Sequence, residues 1–219
     1  MMLELQKKLF KEYTNVSHET MNIFQTYLQI LTNYQTNVNL IGPGTLNDIW
    51  SRHFLDSARL YEPINNWIKR SRLSTPFNLV DVGTGAGFPG IVLSILLQNK
   101  YNLKFSVVDS NIKKIRFLKL LRDKLNLNVE IIYSRAEAIE KKFDLIVSRA
   151  VANLNKLIDI SFPLCKKDTT LMFLKGKKWK AEIKSLKKCW KFKIFVVKNE
   201  MSVSKSDGVI LVFTNLERS

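Results

Sequence analysis

Cysteine is scarce in this chain: among 219 residues only Cys165 and Cys189 carry thiols. Two thiols build neither a disulfide framework nor a metal-ligand cluster, and with His18 and His53 as the only histidines no metal site is expected. Each cysteine has an apolar neighbour, so both read as small buried hydrophobes. Long apolar runs are missing as well. No stretch reaches the ~18 uninterrupted apolar residues that a bilayer span needs. The first residues, Met1 to Lys8, mix charge with apolar positions and lack the apolar core of a signal peptide. A cytoplasmic protein with no membrane association is expected. Glycine and proline number only 8 and 5, and neither internal repeats nor low-complexity linkers interrupt the chain.

Acidic residues are also in deficit, 19 against 35 lysines and arginines, for a net charge of +16. Such an imbalance points to an anionic partner, nucleic acid ahead of an anionic membrane. Most of the excess is lysine, which AT-rich genomes favour along with Asn, Ile and Phe, so part of it reflects codon usage. Clustering carries more weight. Between Lys166 and Lys198 stand twelve lysines and two acids.

The N-terminal part reads as helices. Met21, Phe24, Leu28 and Leu31 form one apolar stripe, flanked by Ile23, Tyr27, Ile30 and Tyr34, with Ser17 as the N-cap. Gly42-Pro43-Gly44 breaks the pattern, after which Thr45, with Asp48 three residues on, is expected to cap a third helix. Leu46, Ile49, Trp50, His53 and Leu60 share one face of it. From Phe77 onward short apolar runs alternate with amphipathic segments. Strands are expected at 77–82, 104–109, 129–133, 143–147, 170–174, 193–197 and 209–214, and helices at 90–98, 112–125, 154–164 and 180–190. This alternation predicts an α/β, Rossmann-like fold: a mostly parallel seven-stranded sheet, closed by an antiparallel hairpin whose turn ends in Asp207-Gly208. An N-terminal helical extension (1–75) precedes the main domain (76–219), with a connector from Ser71 to Pro76.

The glycine-rich stretch Asp81-Val82-Gly83-Thr84-Gly85-Ala86-Gly87-Phe88-Pro89-Gly90 joins a strand to a helix, with Pro89 suited to the first helical turn. In an open parallel sheet, ligands sit beyond the strand C-termini. Gly85, Gly87 and Gly90 satisfy G-x-G-x-x-G, which admits a dinucleotide. Asp81 favours a different ligand, because a carboxylate repels a pyrophosphate but suits the ammonium and sulfonium of S-adenosylmethionine. Asp109, ending the second strand before Ser110, can accept two ribose hydroxyls, a role compatible with either cofactor. Ser134-Arg135-Ala136-Glu137 can frame an adenine edge, and Ser148-Arg149-Ala150 enters the same crevice from the fourth strand.

Four motifs, Arg52-His53-Phe54-Leu55-Asp56-Ser57, the glycine loop, Ser134-Arg135-Ala136-Glu137 and Ser148-Arg149-Ala150, occur in that order. Together they resemble the bacterial small-subunit ribosomal RNA guanine-N7 methyltransferases, also called the glucose-inhibited division protein B family. The resemblance runs from about Asn37 to Lys175 and is only general beyond. It implies methylation of one guanine in a 16S rRNA hairpin loop near the decoding centre, by a monomer acting on the RNA or the small subunit. It further implies donor contacts at Gly83, Phe88, Ala136, Glu137 and Arg149, with Asp109 and Ser110 on the ribose and the Arg52–Ser57 helix over the pocket mouth.

Guanine N7 carries a free lone pair, so its methylation needs alignment and charge tolerance rather than a general base. Arg149 is expected to fix the donor, and His53 or Arg52 to meet the RNA or the guanine; without the family motif His53 would read as a helix-packing residue. The Asn/Asp-Pro-Pro-aromatic turn of exocyclic-amine methylation is missing, and so is a cysteine at a strand tip, as pyrimidine C5 methylation requires. The RNA surface is expected over Arg52, Arg59, Lys69, Arg70, Arg72 and the lysines of 175–188, with Trp179 either stacking on a base or packing its helix. Two other classes stay open here: an NAD-type oxidoreductase, for which no hydride-acceptor pocket is recognisable, and a non-catalytic RNA-binding or membrane-surface protein retaining the fold.

Overall fold

The computed structural model describes residues 2–71, 76–98, 100–198 and 208–219. Arg72 and the expected hairpin turn up to Asp207 fall outside them, as does most of the expected connector. Helices α1 (Met2–Thr14) and α2 (His18–Gln35) come first. They are followed by a 3-10 turn (Pro43–Asp48), a π-helical turn (Trp50–Leu55), α3 (Asp56–Ala58) and α4 (Tyr61–Arg70). Then β1 (Phe77–Val82), α5 (Gly90–Leu97), β2 (Leu103–Asp109), α6 (Ile112–Leu125), β3 (Val129–Tyr133) and β4 (Phe143–Arg149) alternate. The chain closes with α7 (Leu154–Ser161), β5 (Cys165–Lys175), α8 (Trp179–Leu186), β6 (Trp190–Lys198) and β7 (Val209–Arg218).

The seven strands lie in the order β3-β2-β1-β4-β5-β7-β6, and β7 alone runs antiparallel to its neighbours. Order reverses between β1 and β4, which makes their C-terminal ends the switch point where a crevice opens. Alternate residues of the central strands feed two cores. Leu79, Val107, Leu145 and Val147 face α5, α6 and the N-terminal helices. Val80, Val82, Val108 and Ile146 face α7 and α8.

α5 is apolar on nearly all sides because it is covered twice, by the sheet beneath and by α3 and α4 above. The segments before β1 are thus part of the main core. Phe10, Phe24, Trp50 and Phe54 form one aromatic cluster that reaches Phe88 in the glycine loop.

Local chemistry explains several boundaries. Ser17 caps α2 by accepting from the Thr20 N–H at 3.3 Å. Asn111 accepts from the Lys113 and Lys114 N–H groups to start α6, and Asn126, in the left-handed region at φ 49°, ends it. Pro163 converts the end of the expected 154–164 helix into a 3-10 turn. The expected 180–190 helix stops at Leu186, because Trp190 turns inward against Phe162 and opens β6 instead.

The third N-terminal helix departs from expectation most. Thr45 caps no α-helix: it lies inside the 3-10 turn, and its hydroxyl donates to the Gly42 carbonyl at 2.7 Å. Tyr27 takes the fully buried place on the α2 stripe that Leu28 was expected to fill, and its hydroxyl donates to the Ala86 carbonyl at 2.5 Å. Cys189 is exposed and Cys165 half-buried, so neither is the enclosed hydrophobe expected.

Candidate functional site

The glycine loop bends over the C-terminal end of β1. Gly83 has φ +68°, and a β-carbon there would run into the Val151 side chain; only a glycine permits both the turn and the close approach. At Gly90 a β-carbon would lie 2.7 Å from both Asp81 Oδ2 and Val107 Cγ1. That space is closed because Asp81 reaches under the loop and accepts the Gly90 N–H at 2.7 Å. Asp81 is fully buried, and neither its Oδ1 nor the neighbouring Thr84 hydroxyl meets a partner in full hydrogen-bond geometry. Burial pushes this carboxyl up from 3.8 to about 7, against the downward pull of the Thr84 hydroxyl, the Gly90 N–H and Arg149. The loop is therefore tied from below by Asp81 and from the side by Asp109, whose Oδ2 accepts the Gly85 N–H at 3.0 Å.

Two clefts open at this edge of the sheet. The first, about 320 Å³, brings together Gly83, Asp109, Ser110, Ala136 and Glu137 of the expected donor residues. Asp109 also accepts the Asn111 N–H through Oδ1, which leaves a second lone pair on each oxygen for ligand hydroxyls. Ala136 is buried and forms a flat wall, whereas Glu137 and Ser110 are exposed at the rim.

The second cleft, about 640 Å³, lies on the other side of the β4 tip and is lined by Arg52, His53, Asp56, Arg149, Lys177 and Lys178, among others. Ala150, in the left-handed region at φ 56°, lines both clefts and forms the partition between them. The Ser148 hydroxyl donates to the Val82 carbonyl at 2.8 Å and holds this tip against β1.

Arg149 lines the larger cleft rather than the first. Its Nη1 donates to the Arg52 carbonyl at 2.6 Å and to Asp56 Oδ2 at 3.3 Å, while Nη2 meets His53 Nδ1 at 2.7 Å. The guanidinium rests over the face of Phe88, 5.2 Å from the ring centroid. Phe88 is itself buried and stacked on Tyr27, so it serves as the floor under Arg149 and lines neither cleft. The π-helical turn at Trp50–Leu55 is what presents the Arg52 carbonyl and the His53 ring to Arg149 together. Burial, followed by the charges of Arg149 and Arg52, pulls the His53 imidazole down from 6.5 to about 3, so the ring is neutral.

The expected basic surface needs correction in two places. Arg59 is buried, paired with Asp56 Oδ1 at 3.0 Å and donating to the Gly208 carbonyl at 2.9 Å. Lys175 is 9% exposed and paired with Glu182 at 2.7 Å. Trp179 packs against the second core, as in the helix-packing alternative. Arg52, Lys69, Arg70, Lys177 and Lys178 are exposed. Sequence reasoning missed Val151 over Gly83 and the tie from Tyr27 to the loop; a tyrosine within an apolar stripe was the available signal for the latter. Among the described residues no helix is long and apolar enough to cross a membrane, and no group of three or more His, Cys, Asp or Glu side chains could hold a metal ion.

Comparison with known proteins bears on the chemistry. The family model described as "rRNA small subunit methyltransferase G" matches residues 20–210, well beyond the expected 37–175. A curated relative from Mycoplasma capricolum named ribosomal RNA small subunit methyltransferase G is 40% identical over 82% of this chain and 75% of its own length. One from a Jannaschia species with the same name is 34% identical over 90% of both. Among solved structures, a SAM-dependent methyltransferase from Aquifex aeolicus superposes with a TM-score of 0.52 at 19% identity, covering 73% of this chain and 93% of its own. The last likeness shows the shared fold, and the first three establish kinship: this chain belongs to the rRNA small subunit methyltransferase G family.

Proposed function

We propose that this member of the family transfers a methyl group from S-adenosylmethionine to N7 of one guanine in a hairpin loop of 16S rRNA, acting as a cytoplasmic monomer on the RNA or the small subunit. The observation that carries the reading is the pair of clefts meeting at Ala150, one lined by a carboxylate-tipped strand and the other by cations. The residues fit the donor: positive-φ glycines leave the main chain approachable, Asp109 keeps lone pairs for ribose hydroxyls, and Asp81 Oδ1 is an unpartnered acceptor beneath the loop. When bound, S-adenosylmethionine supplies a methyl carbon made electrophilic by its sulfonium.

Asp109 and Ser110 take the ribose edge, and Ala136 and Glu137 border the adenine. Gly83 lets the main chain close on the amino-acid portion, while Asp81 keeps the loop in register from below. On the other side of Ala150, Arg52, Lys177 and Lys178 attract RNA phosphates, and choice of the acceptor rests on RNA shape. N7 arrives with its lone pair free, so no residue needs to remove a proton. Neutral His53 agrees with that, as its Nδ1 lone pair is already engaged by Arg149. Rate comes from alignment and from tolerance of a purine that becomes cationic.

Incubation of the protein with labelled donor and unmodified small subunits, followed by borohydride–aniline strand cleavage, tests the acceptor. Cleavage at a single guanine is expected; label at an exocyclic amine would overturn the assignment to N7.

A further inference from the structure

The hydrogen bonds around Arg149 fix more than its own position. A guanidinium has donors only, so the 2.7 Å contact from Nη2 makes His53 Nδ1 an acceptor. In the neutral ring the proton then sits on Nε2, which faces the Thr45 hydroxyl oxygen at 2.9 Å and donates to it. The Thr45 hydroxyl proton is directed to the Gly42 carbonyl at 2.7 Å. Each group in the series has one compatible role, and the polarity runs without a break from the β4 tip to the turn at 42–45.

We propose that Thr45 is a positioning residue: through a His53 locked as the Nε2–H tautomer, it fixes the Arg149 guanidinium beside the partition between the two clefts. His53 is likewise a positioning residue, since both of its nitrogens are used within the protein. This rests on the reading of Ala150 as the place where donor and acceptor meet. Three constraints converge on the guanidinium, namely the Arg52 carbonyl, Asp56 and His53, with Phe88 as floor. Of these, His53 alone is held in turn by a side chain from a separate segment, and Thr45 also lines the larger cleft. RNA entering that cleft passes the hydroxyl that braces the His53 ring.

Two readouts test the proposal in the full-length protein. The chain has only two histidines, so long-range proton–nitrogen NMR resolves each ring, with exposed His18 as internal reference. His53 should show an unprotonated Nδ1 and a protonated Nε2 at neutral pH. Thr45→Val keeps the shape and removes the acceptor for the Nε2 proton; Arg149 still holds Nδ1 as an acceptor, so the tautomer should persist while the Nε2 proton exchanges with solvent at least tenfold faster, and Thr45→Ser should keep the slow exchange. In single-turnover methylation with saturating donor, T45V should lose about tenfold or more in rate with KM for small subunits little changed, as expected for misalignment; T45S should restore the rate. A wild-type His53 protonated on Nδ1, or a T45V enzyme transferring methyl at the wild-type rate, overturns the proposal. If T45V does not fold, Thr45→Ala supplies the same comparison of Nε2 proton exchange and methyl-transfer rate against T45S. The tautomer reads the network whatever base is methylated, so failure here is separable from failure of the N7 assignment.

Discussion

Replacing Asp81 with asparagine removes a proton-binding site from the centre of the molecule while keeping its outline and the acceptor for the Gly90 N–H. In the folded protein burial raises this carboxyl from 3.8 to about 7. Between those values the folded state holds a proton that the unfolded chain has released, so stability must fall as pH rises through the window and level off above it. At ~1.4 kcal/mol per pH unit, the span corresponds to a loss on the order of 4 kcal/mol between pH 4 and pH 8. The D81N protein lacks this contribution. The stability difference, D81N minus wild type, should therefore grow with pH by up to that amount. Urea denaturation of both proteins at half-unit intervals from pH 4 to pH 8 measures it, and taking the difference cancels every other titrating group. A difference that stays flat across the range, or narrows with rising pH, would refute the argument that desolvation dominates at Asp81.

Further substitutions probe other parts of the structure. Gly83→Ala places a β-carbon against Val151 at a left-handed φ, so donor affinity measured by calorimetry should fall at least tenfold, equivalent to about 1.4 kcal/mol. Trp67→Phe deletes the 2.9 Å bond from Nε1 to the Thr170 hydroxyl and should cost about 1 kcal/mol in denaturant titrations, with methyl transfer unaffected. Lys178→Ala, at an exposed lysine of the larger cleft, should weaken RNA binding and lower the slope of log affinity against log salt by ~0.7 to 0.9. An unchanged slope would remove Lys178 from the RNA surface.

How legible the molecule was depended on whether local rules and tertiary demands agreed. Helix α6 was readable to its end residues, since an amphipathic pattern, an Asn cap and a left-handed Asn all act within a few residues of one another. The parallel strands were readable because burial on both faces demands continuous apolar runs. The π-helical turn was not. Thr45 and Asp48 imitate a capping box, and the distortion belongs with hydrogen bonds from Arg149, about a hundred residues away. Asp109 was found from its place at a strand tip, and Ser110, Ala136 and Glu137 through the family resemblance; the four do share a cleft. Arg59 and Lys175 were misjudged as surface because charge counts carry no word of partners; Asp56 and Glu182 draw both inward.

The wall of the larger cleft is assembled from residues 45–59 before the sheet, Arg149 and Ala150 at the β4 tip, and residues 174–182 with Gly208 from the later strands and the segments beside them. The smaller cleft draws only on residues 82–160. On the proposed reading, ligand specificity is divided along the polypeptide. Substitutions in the outer stretches should then retarget the enzyme to a different nucleic-acid shape while leaving cofactor affinity intact, with Arg149 and Ala150 as the seam both halves must respect.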